Sequence, residues 1–496
     1  MIKLDFAKTS DKSDLLVVLA RGPELALDGT TFAPAAQKTL AAWWKLQDSE
    51  KPGRIVWATC GGLPTAVLIL NVGAPGEADA QTWFRGWASV GKAVVSAKAV
   101  RKAAILLPAS LWPEGDDEAA SLARVAAAGI LFGAYRWQGG KSKPAKSGTG
   151  PELLWSGTGT ENKAVRDALQ RGAAEGWTQC AFRDLANVPA QDLGPVELAQ
   201  FAQDLAEREG LECRVWTEPD LEDAGCGGIL AVGQGSVRPP RLIRVAWPGK
   251  GDGRKRKPIA LVGKGIMFDS GGICIKPSKG MEWMQYDMCG AAAVLCAVAL
   301  CSVLGVEQPV VAWVPAADNM PSGSAIRPGD IVRMADGQTV QIVNTDAEGR
   351  MLLADALAMA AREEPEAIVD VATLTGAVVI ALGHEAAAVM GNDEDLVEDL
   401  FDAGAAVGER LWELPLWDEY GEPFKSPFAD CQNMGDRTAG TIQAAAFLRR
   451  FVPKGQSWAH IDIAGTAWWE SERPWSAPGA TLSAARILYR LAETWS

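Results

Sequence analysis

Histidine is the residue that this sequence has least of: its 496 residues include only two, His384 and His460. A zinc site built on two or three histidines would need both of them, and the helical zinc motif H-E-x-x-H is absent. A Ser-His-Asp or Cys-His catalytic centre would also have to use one of the two. If the chain carries a metal centre, carboxylates must therefore supply most of the ligands.

The sequence also lacks the usual marks of an exported or membrane-spanning protein. Its nine cysteines are scattered, odd in number and without a C-x-x-C pair, which is typical of a reduced intracellular protein. The N-terminal stretch MIKLDFAKTSDKSDLL has charges throughout and no apolar signal core. The longest apolar run, 291–306, is shorter than the roughly 20 residues of a membrane span and predicts a buried helix. We therefore expect a cytoplasmic protein that does not cross a membrane.

Positive charge is in short supply. The chain has 48 lysines and arginines against 61 acidic residues, and its formal net charge is −13. Such a chain is a poor general binder of nucleic acid, because phosphate contacts need clustered cations. One basic run, 254–257, lies between two strand-like segments, and a solvated loop is favoured there over a binding patch. Nucleic acid is therefore not an expected partner.

Strand-like apolar runs alternate with helical stretches along the whole chain, which predicts an α/β fold. Residues 1–160 are expected to form an N-terminal α/β domain, of which 138–160, rich in Gly, Ser, Lys and Pro, are a linker or exposed loop. A connecting helix is predicted over 161–188. Residues 189–496 are expected to form a larger α/β domain whose mostly parallel or mixed central sheet is covered by helices.

Six apolar runs of the larger domain predict buried strands: Gly228–Val232, Leu242–Ala246, Ile259–Val262, Val310–Val314, Val340–Val343 and Ile368–Val371. Helices are predicted between them, over Pro195–Glu209, Ala291–Leu304 and Met351–Arg362. Ligands of open α/β sheets bind beyond the carboxyl ends of the strands. A functional site is therefore expected where polar sequence follows these runs.

Three segments at strand-to-helix transitions are unusually polar and rich in glycine: Gly263–Pro277, Met284–Gly290 and Asn344–Arg350. Between them they carry four acidic residues, Asp269, Asp287, Asp346 and Glu348. Four carboxylates at one crevice would repel each other unless cations neutralise them, and two divalent ions would do so.

A simpler interpretation exists for single members of this set. An aspartate at the start of a helix is usually an N-cap, and both Asp287 and Asp346 could be one. The combination favours a functional site, because Lys264 and Lys276 lie in the same glycine-rich segment and Arg350 lies beside the acidic pair.

The strings VGKGIMFDSGGICIKPS, YDMCGAAAV and NTDAEGRMLLADAL resemble the signature segments of the leucyl aminopeptidase (cytosol aminopeptidase) family, which uses two metal ions. Supporting segments extend the resemblance over roughly residues 180–490. It implies a metal-dependent aminopeptidase that releases N-terminal amino acids from peptides, preferably leucine and other apolar residues, by attack of a bridging metal-bound hydroxide.

The resemblance also implies a ligand set for two divalent ions in each subunit, zinc or manganese with magnesium or cobalt as alternatives: Lys264, Asp269, Asp287, Asp346 and Glu348. A lysine binds a metal only when neutral, so Lys264 is expected to have a depressed pKa. Lys276 would stay charged and stabilise the oxyanion of the tetrahedral intermediate. Arg350 would hold a bicarbonate ion that acts as general base.

The family's pocket for the first side chain of the substrate maps onto six positions: Met284, Asn344, Thr373, Leu374, Gly376 and Ala464. These residues are mostly small or apolar, so leucine is expected to fit. The resemblance further implies peptide substrates with a free N-terminus and a homohexameric assembly.

Three rival interpretations remain. Some family members also bind DNA as architectural proteins, which the net charge of −13 disfavours here. An inactive homologue is disfavoured by the intact set of ligands. A dinucleotide-binding interpretation rests on turns such as Gly233-Gln234-Gly235, and the G-x-G-x-x-G motif that it needs is missing.

Overall fold

The structure, a computed structural model, describes residues 3–7, 13–27, 30, 32–47, 51–58, 65–73, 79–113, 115–142 and 150–495. The chain divides into two compact units. The first consists of Met1–Cys180, Ala405–Gly408 and Ser471–Pro478, and the second of Ala181–Gly404, Glu409–Glu470 and Gly479–Ser496. The change from one unit to the other thus falls within the long helix that the sequence predicts over 161–188.

The first unit is an α/β structure. Its sheet contains seven strands among the described residues: Lys3–Phe6 (β1), Leu15–Arg21 (β2), Glu24–Ala26 (β3), Ile55–Trp57 (β4), Ala66–Asn71 (β5), Lys102–Leu106 (β6) and Glu152–Ser156 (β7). The strand order is β1-β7-β6-β2-β5-β4, with β3 beside β2. Its helices are Pro34–Trp44 (α1), Ala80–Ser96 (α2), Asp116–Ala134 (α3) and most of Lys163–Ala186 (α4).

One strand of this sheet lies where a linker was predicted. Strand β7 falls inside the stretch 138–160 and pairs in parallel with both β1 and β6. Its residues Leu153, Leu154 and Trp155 are buried, so this part of the linker prediction is wrong. The average composition of the stretch 138–160 is dominated by the Gly, Ser, Lys and Pro that flank β7, so it hides the five residues of the strand. Residues 143–149 of the same stretch lie outside the described residues.

The segment Ser471–Pro478 completes the first unit although it comes from the far end of the chain. The guanidinium of Arg85, on α2, lies 4.3 Å from the ring centroid of Trp475. Lys92, also on α2, pairs with Glu472 at 3.0 Å. Trp475 packs against the apolar core between the sheet and its helices.

The second unit is built around a large mixed sheet. Its strands are Glu212–Trp216 (β8), Arg241–Trp247 (β9), Ile259–Gly263 (β10), Gly265–Asp269 (β11), Val310–Asn319 (β12), Ala367–Ala372 (β15), Ala387–Gly391 (β16), Leu411–Glu413 (β17) and Ser457–Asp462 (β19). The order is β17-β16-β19-β15-β10-β12-β9-β8, with β11 beside β12. The central pairs, β12 with β10, β10 with β15 and β15 with β19, are parallel, so the predicted mostly parallel or mixed α/β sheet is confirmed.

Smaller elements and helices surround this sheet. A small sheet consists of Ile331–Arg333 (β13), Thr339–Gln341 (β14) and Cys431–Gln432 (β18), and a hairpin of Trp468–Trp469 (β20) and Gly479–Ala480 (β21). The helices are Pro195–Glu209 (α5), Glu218–Ala224 (α6), Gly227–Gly233 (α7), Cys289–Leu304 (α8), Gly349–Ala361 (α9), Gly376–Leu382 (α10), Glu394–Val407 (α11), Gly440–Arg449 (α12) and Ala485–Thr494 (α13).

Two of the predicted strands are wrong. Gly228–Val232 lies in helix α7, because a run of five apolar residues carries no period that separates a buried strand from a buried helix. Val340–Val343 is replaced by the shorter β14, which belongs to the small sheet. The polar segment 344–350 therefore does not continue a strand of the main sheet.

Residues Met281–Leu304, which include α8, are long and apolar enough to span a membrane by length and composition. However, 83% of their apolar window is buried inside the protein. The core position of this helix explains its composition, since both the sheet and neighbouring helices cover it.

We expect Asp355→Ala to lower the free energy of unfolding by about 2–4 kcal/mol. Asp355, on α9, is fully buried and accepts hydrogen bonds from the backbone N–H groups of Ile229 (2.9 Å) and Ala335 (2.8 Å), which alanine would leave unpaired. Urea unfolding measures the loss. The exposed Asp223 on α6 is the matched control, and Asp223→Ala should change stability by less than about 0.5 kcal/mol. Equal losses in the two variants would contradict this account of Asp355.

Candidate metal centre

The backbone of Lys264 is fixed at the carboxyl end of β10. Its N–H donates to the carbonyl of Val371 on β15 (3.0 Å), and its carbonyl accepts from Ala291 in the first turn of α8 (2.8 Å). The chain then runs into β11, whose last residue, Asp269, pairs in register with Asn319 of β12. The parallel sheet thus brings Lys264 and Asp269 to one edge, as the rule on strand ends predicts.

One glycine leaves room for the side chain of Lys264, and another for the strand backbone beside it. A Cβ atom at Gly349 would lie 2.5 Å from Cε and 2.7 Å from Nζ of Lys264. A Cβ atom at Gly290 would lie 2.2 Å from the carbonyl oxygen of Val371. Any larger residue at either position would displace the lysine or the strand beside it, which explains the small residues at the starts of α8 and α9.

The other carboxylates come from segments outside the main sheet. Asp287 lies in a 3₁₀ helix, Met281–Met288, directly before α8, and Glu348 is the residue before α9. The N-cap positions of α8 and α9 are Met288 and Glu348, and neither forms a side-chain cap. The simpler interpretation of Asp287 and Asp346 as N-caps is therefore wrong.

Two lysine ammonium groups lie among these carboxylates. Nζ of Lys264 is 2.8 Å from Oδ2 of Asp287 and 3.0 Å from Oε1 of Glu348. Nζ of Lys276 is 2.8 Å from Oδ2 of Asp269 and 2.6 Å from Oδ1 of Asp346. The structure thus brings together all five side chains predicted as ligands, with Lys276 beside them.

Burial and charge act in opposite directions on the pKa values of this cluster. Burial would lower the pKa of Lys264, but the carboxylates of Asp287, Glu348 and Asp269 outweigh it and hold that pKa above its usual value. Burial raises the pKa of Asp287 to about 8, against the opposing charge of Lys264. The protein's own groups thus raise the pKa of Lys264, and the depressed pKa expected of this lysine remains a prediction for the metal-bound centre, where nearby cations would lower it.

The carboxylates fit divalent cations. Ligand oxygens of Asp269, Asp346 and Glu348 lie within 4.8 Å of one another. The buried oxygens Asp287 Oδ2 and Asp346 Oδ1 face the ammonium groups of Lys264 and Lys276, at 2.8 and 2.6 Å. Carboxylate oxygens that face positive charge are the hard ligands that zinc, manganese or magnesium accept.

Side chains behind the carboxylates hold them in place. Thr373, directly after β15, donates from its hydroxyl to Oδ1 of Asp287 (2.6 Å), and its carbonyl accepts from Nζ of Lys264 (3.0 Å). The amide of Asn319 donates to Oδ1 of Asp269 (2.8 Å) and to the carbonyl of Thr345 (3.0 Å). The sequence analysis missed Asn319, although its position at the end of a strand beside β11 could have indicated it.

The six residues predicted to form the substrate pocket come from four segments. Thr373 and Leu374 lie between β15 and α10, Gly376 is the first residue of α10, and Ala464 follows β19. Asp462, which the sequence analysis also missed, joins these two segments, since its Oδ1 accepts from the N–H groups of Leu374 and Ala464, both at 3.2 Å.

The other two pocket positions lie on the segments that carry carboxylates. Met284 is half-buried on the same 3₁₀ helix as Asp287. The side chain of Asn344 accepts from the N–H of Asp346 (2.9 Å). Of the other four positions, Thr373 bonds Asp287 directly, Leu374 and Gly376 follow Thr373 within three residues, and Asp462 links Ala464 to Leu374.

Arg350 lies in the first turn of α9. Its Nη1 donates to the carbonyl of Asn433 (3.0 Å), and its guanidinium lies about 6 Å from the rings of Phe424 and Phe447. Its Nε has no hydrogen-bond partner among the described residues, and burial lowers the pKa of Arg350 to about 10. It stays positively charged at neutral pH, with donor capacity left for a small anion.

Comparison with known proteins identifies the family. A sequence model of the "Cytosol aminopeptidase family, catalytic domain" matches residues 180–489. The chain belongs to the cytosol aminopeptidase family. Membership makes it a metal-dependent aminopeptidase of a family that uses dinuclear metal centres.

Similar proteins cover nearly the whole chain. A probable cytosol aminopeptidase of Syntrophotalea carbinolica is 44% identical over 445 residues, 88% of each chain. One of Geobacter sulfurreducens is 44% identical over 432 residues, 87% of this chain and 85% of its own. Among solved structures, the bottromycin maturation enzyme BotP in complex with Mn superposes with a TM-score of 0.83 at 33% identity, covering 97% of this chain and 99% of that one.

We expect Mn²⁺ binding to this cytosol aminopeptidase to release protons and to strengthen as the pH rises from about 6 to 9. A raised pKa means that Asp287 and Lys264 still hold protons near neutral pH, and each must lose its proton before it can bind a metal. Calorimetric titration in two buffers of different ionisation enthalpy measures the protons released. An affinity that does not change with pH would contradict the assignment of these two residues as ligands.

Proposed function

We propose that this chain is a leucyl aminopeptidase: it removes N-terminal leucine and other apolar residues from peptides, with two divalent ions at the cluster described above. The observation that carries the proposal is the convergence of four carboxylates on two lysines, with nitrogen-to-oxygen distances of 2.6–3.0 Å.

The geometry supports a division of the ligands between two sites. Asp269, Asp346 and Glu348, whose oxygens lie within 4.8 Å of one another, would hold one ion. Lys264 and Asp287 would hold the other, together with the shared carboxylates of Asp269 and Glu348. Zinc and manganese are the proposed metals, with magnesium or cobalt as alternatives, since oxygen ligands suit several of them. When bound, two such ions lower the pKa of a coordinated water toward neutrality, so that hydroxide can attack, and polarise the scissile carbonyl.

Lys276 is the proposed oxyanion-stabilising group. Its side chain is 22% exposed, whereas that of Lys264 is 3% exposed, so only Lys276 can be reached by a substrate without rearrangement. Burial would lower its pKa, but Asp269, Glu348 and Asp346 keep that pKa above its usual value. The ammonium therefore stays charged and can offer hydrogen bonds to the oxygen on which negative charge develops.

Arg350 is the proposed site for a bicarbonate ion that acts as general base. The support is its charge, its donor without a partner among the described residues, and its place two residues after Glu348. A guanidinium presents donors in a planar fork that matches a small trigonal oxyanion. Such an ion could accept a proton at the cluster and return it to the leaving amine.

The assembly and location are proposals of the same kind. Curated relatives carry the name cytosol aminopeptidase, which supports a cytoplasmic protein. A homohexamer is proposed from the family resemblance. Nucleic acid is not a proposed partner: the basic run 254–257 is exposed, and Lys255 and Lys257 pair with Asp252 and Glu364.

We expect Asp346→Ala and Glu348→Ala to lower kcat for leucine p-nitroanilide at least about 1,000-fold, because each removes a ligand of the proposed centre. A chelator should abolish wild-type activity, and added Mn²⁺ or Zn²⁺ should restore it. Asp330→Ala, on a turn before β13, is the control and should keep full activity. A fully active Asp346→Ala enzyme would overturn the proposed function.

We expect leucine amide to be hydrolysed with a kcat/KM about 10- to 200-fold above that of alanine amide, the range that a few methylenes in an apolar pocket provide. N-acetyl-leucine amide should not be hydrolysed, since acetylation removes the free amine. Steady-state kinetics on the three amides tests both statements. Equal rates on leucine amide and its acetylated form would show that the enzyme does not require a free N-terminus.

A further inference from the structure

The segment between β14 and α9 carries Asp346 and Glu348 but has almost no regular secondary structure. Residues 342–348 belong to no helix or strand, and most of them are at least half-buried. Buried backbone groups need hydrogen-bond partners, and here helices and sheets do not supply them. The main chain of Ile342 bonds Gly329 and Asp330, and beyond that residue side chains from elsewhere help to fix the path of this segment and the positions of two carboxylates.

Asn433 supplies most of these partners. Its Oδ1 accepts from the N–H groups of Val343 (2.8 Å) and Asn344 (3.2 Å). Its Nδ2 donates to the carbonyl of Asn344 (2.7 Å) and lies 3.5 Å from that of Ala347. The side-chain amide of Asn433 thus contacts both N–H groups and carbonyl groups of residues 343–347.

The backbone of Asn433 forms two further hydrogen bonds, one through its N–H and one through its carbonyl. The N–H of Asn433 donates to the carbonyl of Gln341 (2.9 Å), which continues the pairing of β18 with β14. Its carbonyl accepts from Nη1 of Arg350 (3.0 Å). Asn433 is 1% exposed, so these bonds do not compete with bulk water. A single residue therefore joins the strand, the ligand segment and Arg350.

We propose that Asn433 is a positioning residue that sets the geometry of Asp346, Glu348 and Arg350 for the reaction. It does not touch the carboxylates and acts through the backbone that carries them. The expected loss of kcat in Asn433 variants rests on the proposed function. The expected loss of metal affinity requires only that the cluster binds a cation.

Only an amide fits this place. Aspartate keeps the oxygen that accepts from Val343 and Asn344, but it puts a second oxygen where Nδ2 lies 2.7 Å from the carbonyl of Asn344. Two acceptors at that distance repel, so Asn433→Asp should displace the segment. Asn433→Ala removes all four side-chain contacts and leaves the N–H and the carbonyl of residue 433 in place.

The experiment compares Asn433→Ala and Asn433→Asp with Asn187→Ala. Asn187 is also buried, and its amide joins α4 to β21 by donating to the carbonyl of Arg183 (2.7 Å) and accepting from the N–H of Ala480 (3.0 Å). Asn187→Ala is thus a control that removes buried hydrogen bonds outside the segments that carry the ligands. For each protein, Tm, the Mn²⁺ affinity by calorimetry, and kcat and KM on leucine p-nitroanilide are measured.

We expect both Asn433 variants to lose about 10- to 100-fold in Mn²⁺ affinity and kcat, with a smaller change in KM. Asn187→Ala should also lower Tm but keep wild-type affinity and kcat. If the Asn433 variants lower Tm but bind Mn²⁺ and turn over like Asn187→Ala, the residue is merely structural and the proposal fails. If the wild-type protein binds Mn²⁺ but hydrolyses no amide, the proposed function fails, and the Mn²⁺ affinities still decide the role of Asn433.

Discussion

The mutual repulsion of buried carboxylates is the constraint on which this catalytic unit depends. Asp269, Asp287 and Glu348 are each less than 4% exposed and lie in one crevice with Asp346, an arrangement that water cannot stabilise. Two lysine ammonium groups compensate this charge in the protein alone. Because the ammonium groups lie among the carboxylates, the crevice is preorganised for positive charge.

Both the main sheet and the loops position residues of this crevice. The parallel strands β10, β12 and β15 bring Lys264, Asp269 and Thr373 to one edge through main-chain pairing. The remaining carboxylates lie on segments without such pairing, so the amides of Asn319 and Asn433 and the hydroxyl of Thr373 take over the role of secondary structure. Polar side chains outside the cluster thus fix the segments that carry its carboxylates.

Much of this arrangement could be predicted from the sequence, because it depends on patterns that are local. The alternation of apolar and helical stretches predicted the α/β class, and the three glycine-rich segments predicted that Asp269, Asp287, Asp346 and Glu348 would meet. What the sequence could not show depends on distant partners or on short elements. Asn433 contacts residues nearly ninety positions away, and the five-residue runs at β7 and α7 carry too little pattern to separate strand, helix and linker.

The first unit includes a segment from late in the sequence, Ser471–Pro478, and this affects how the chain folds as it is synthesised. Most of that unit is complete once residue 180 has been made, but Trp475 and Glu472, which pack on α2, come nearly three hundred residues later. Until then α2 exposes the surface that they cover. The first unit therefore reaches its final form only after the ribosome has made residues 471–478, and residues 1–180 alone do not contain all of it.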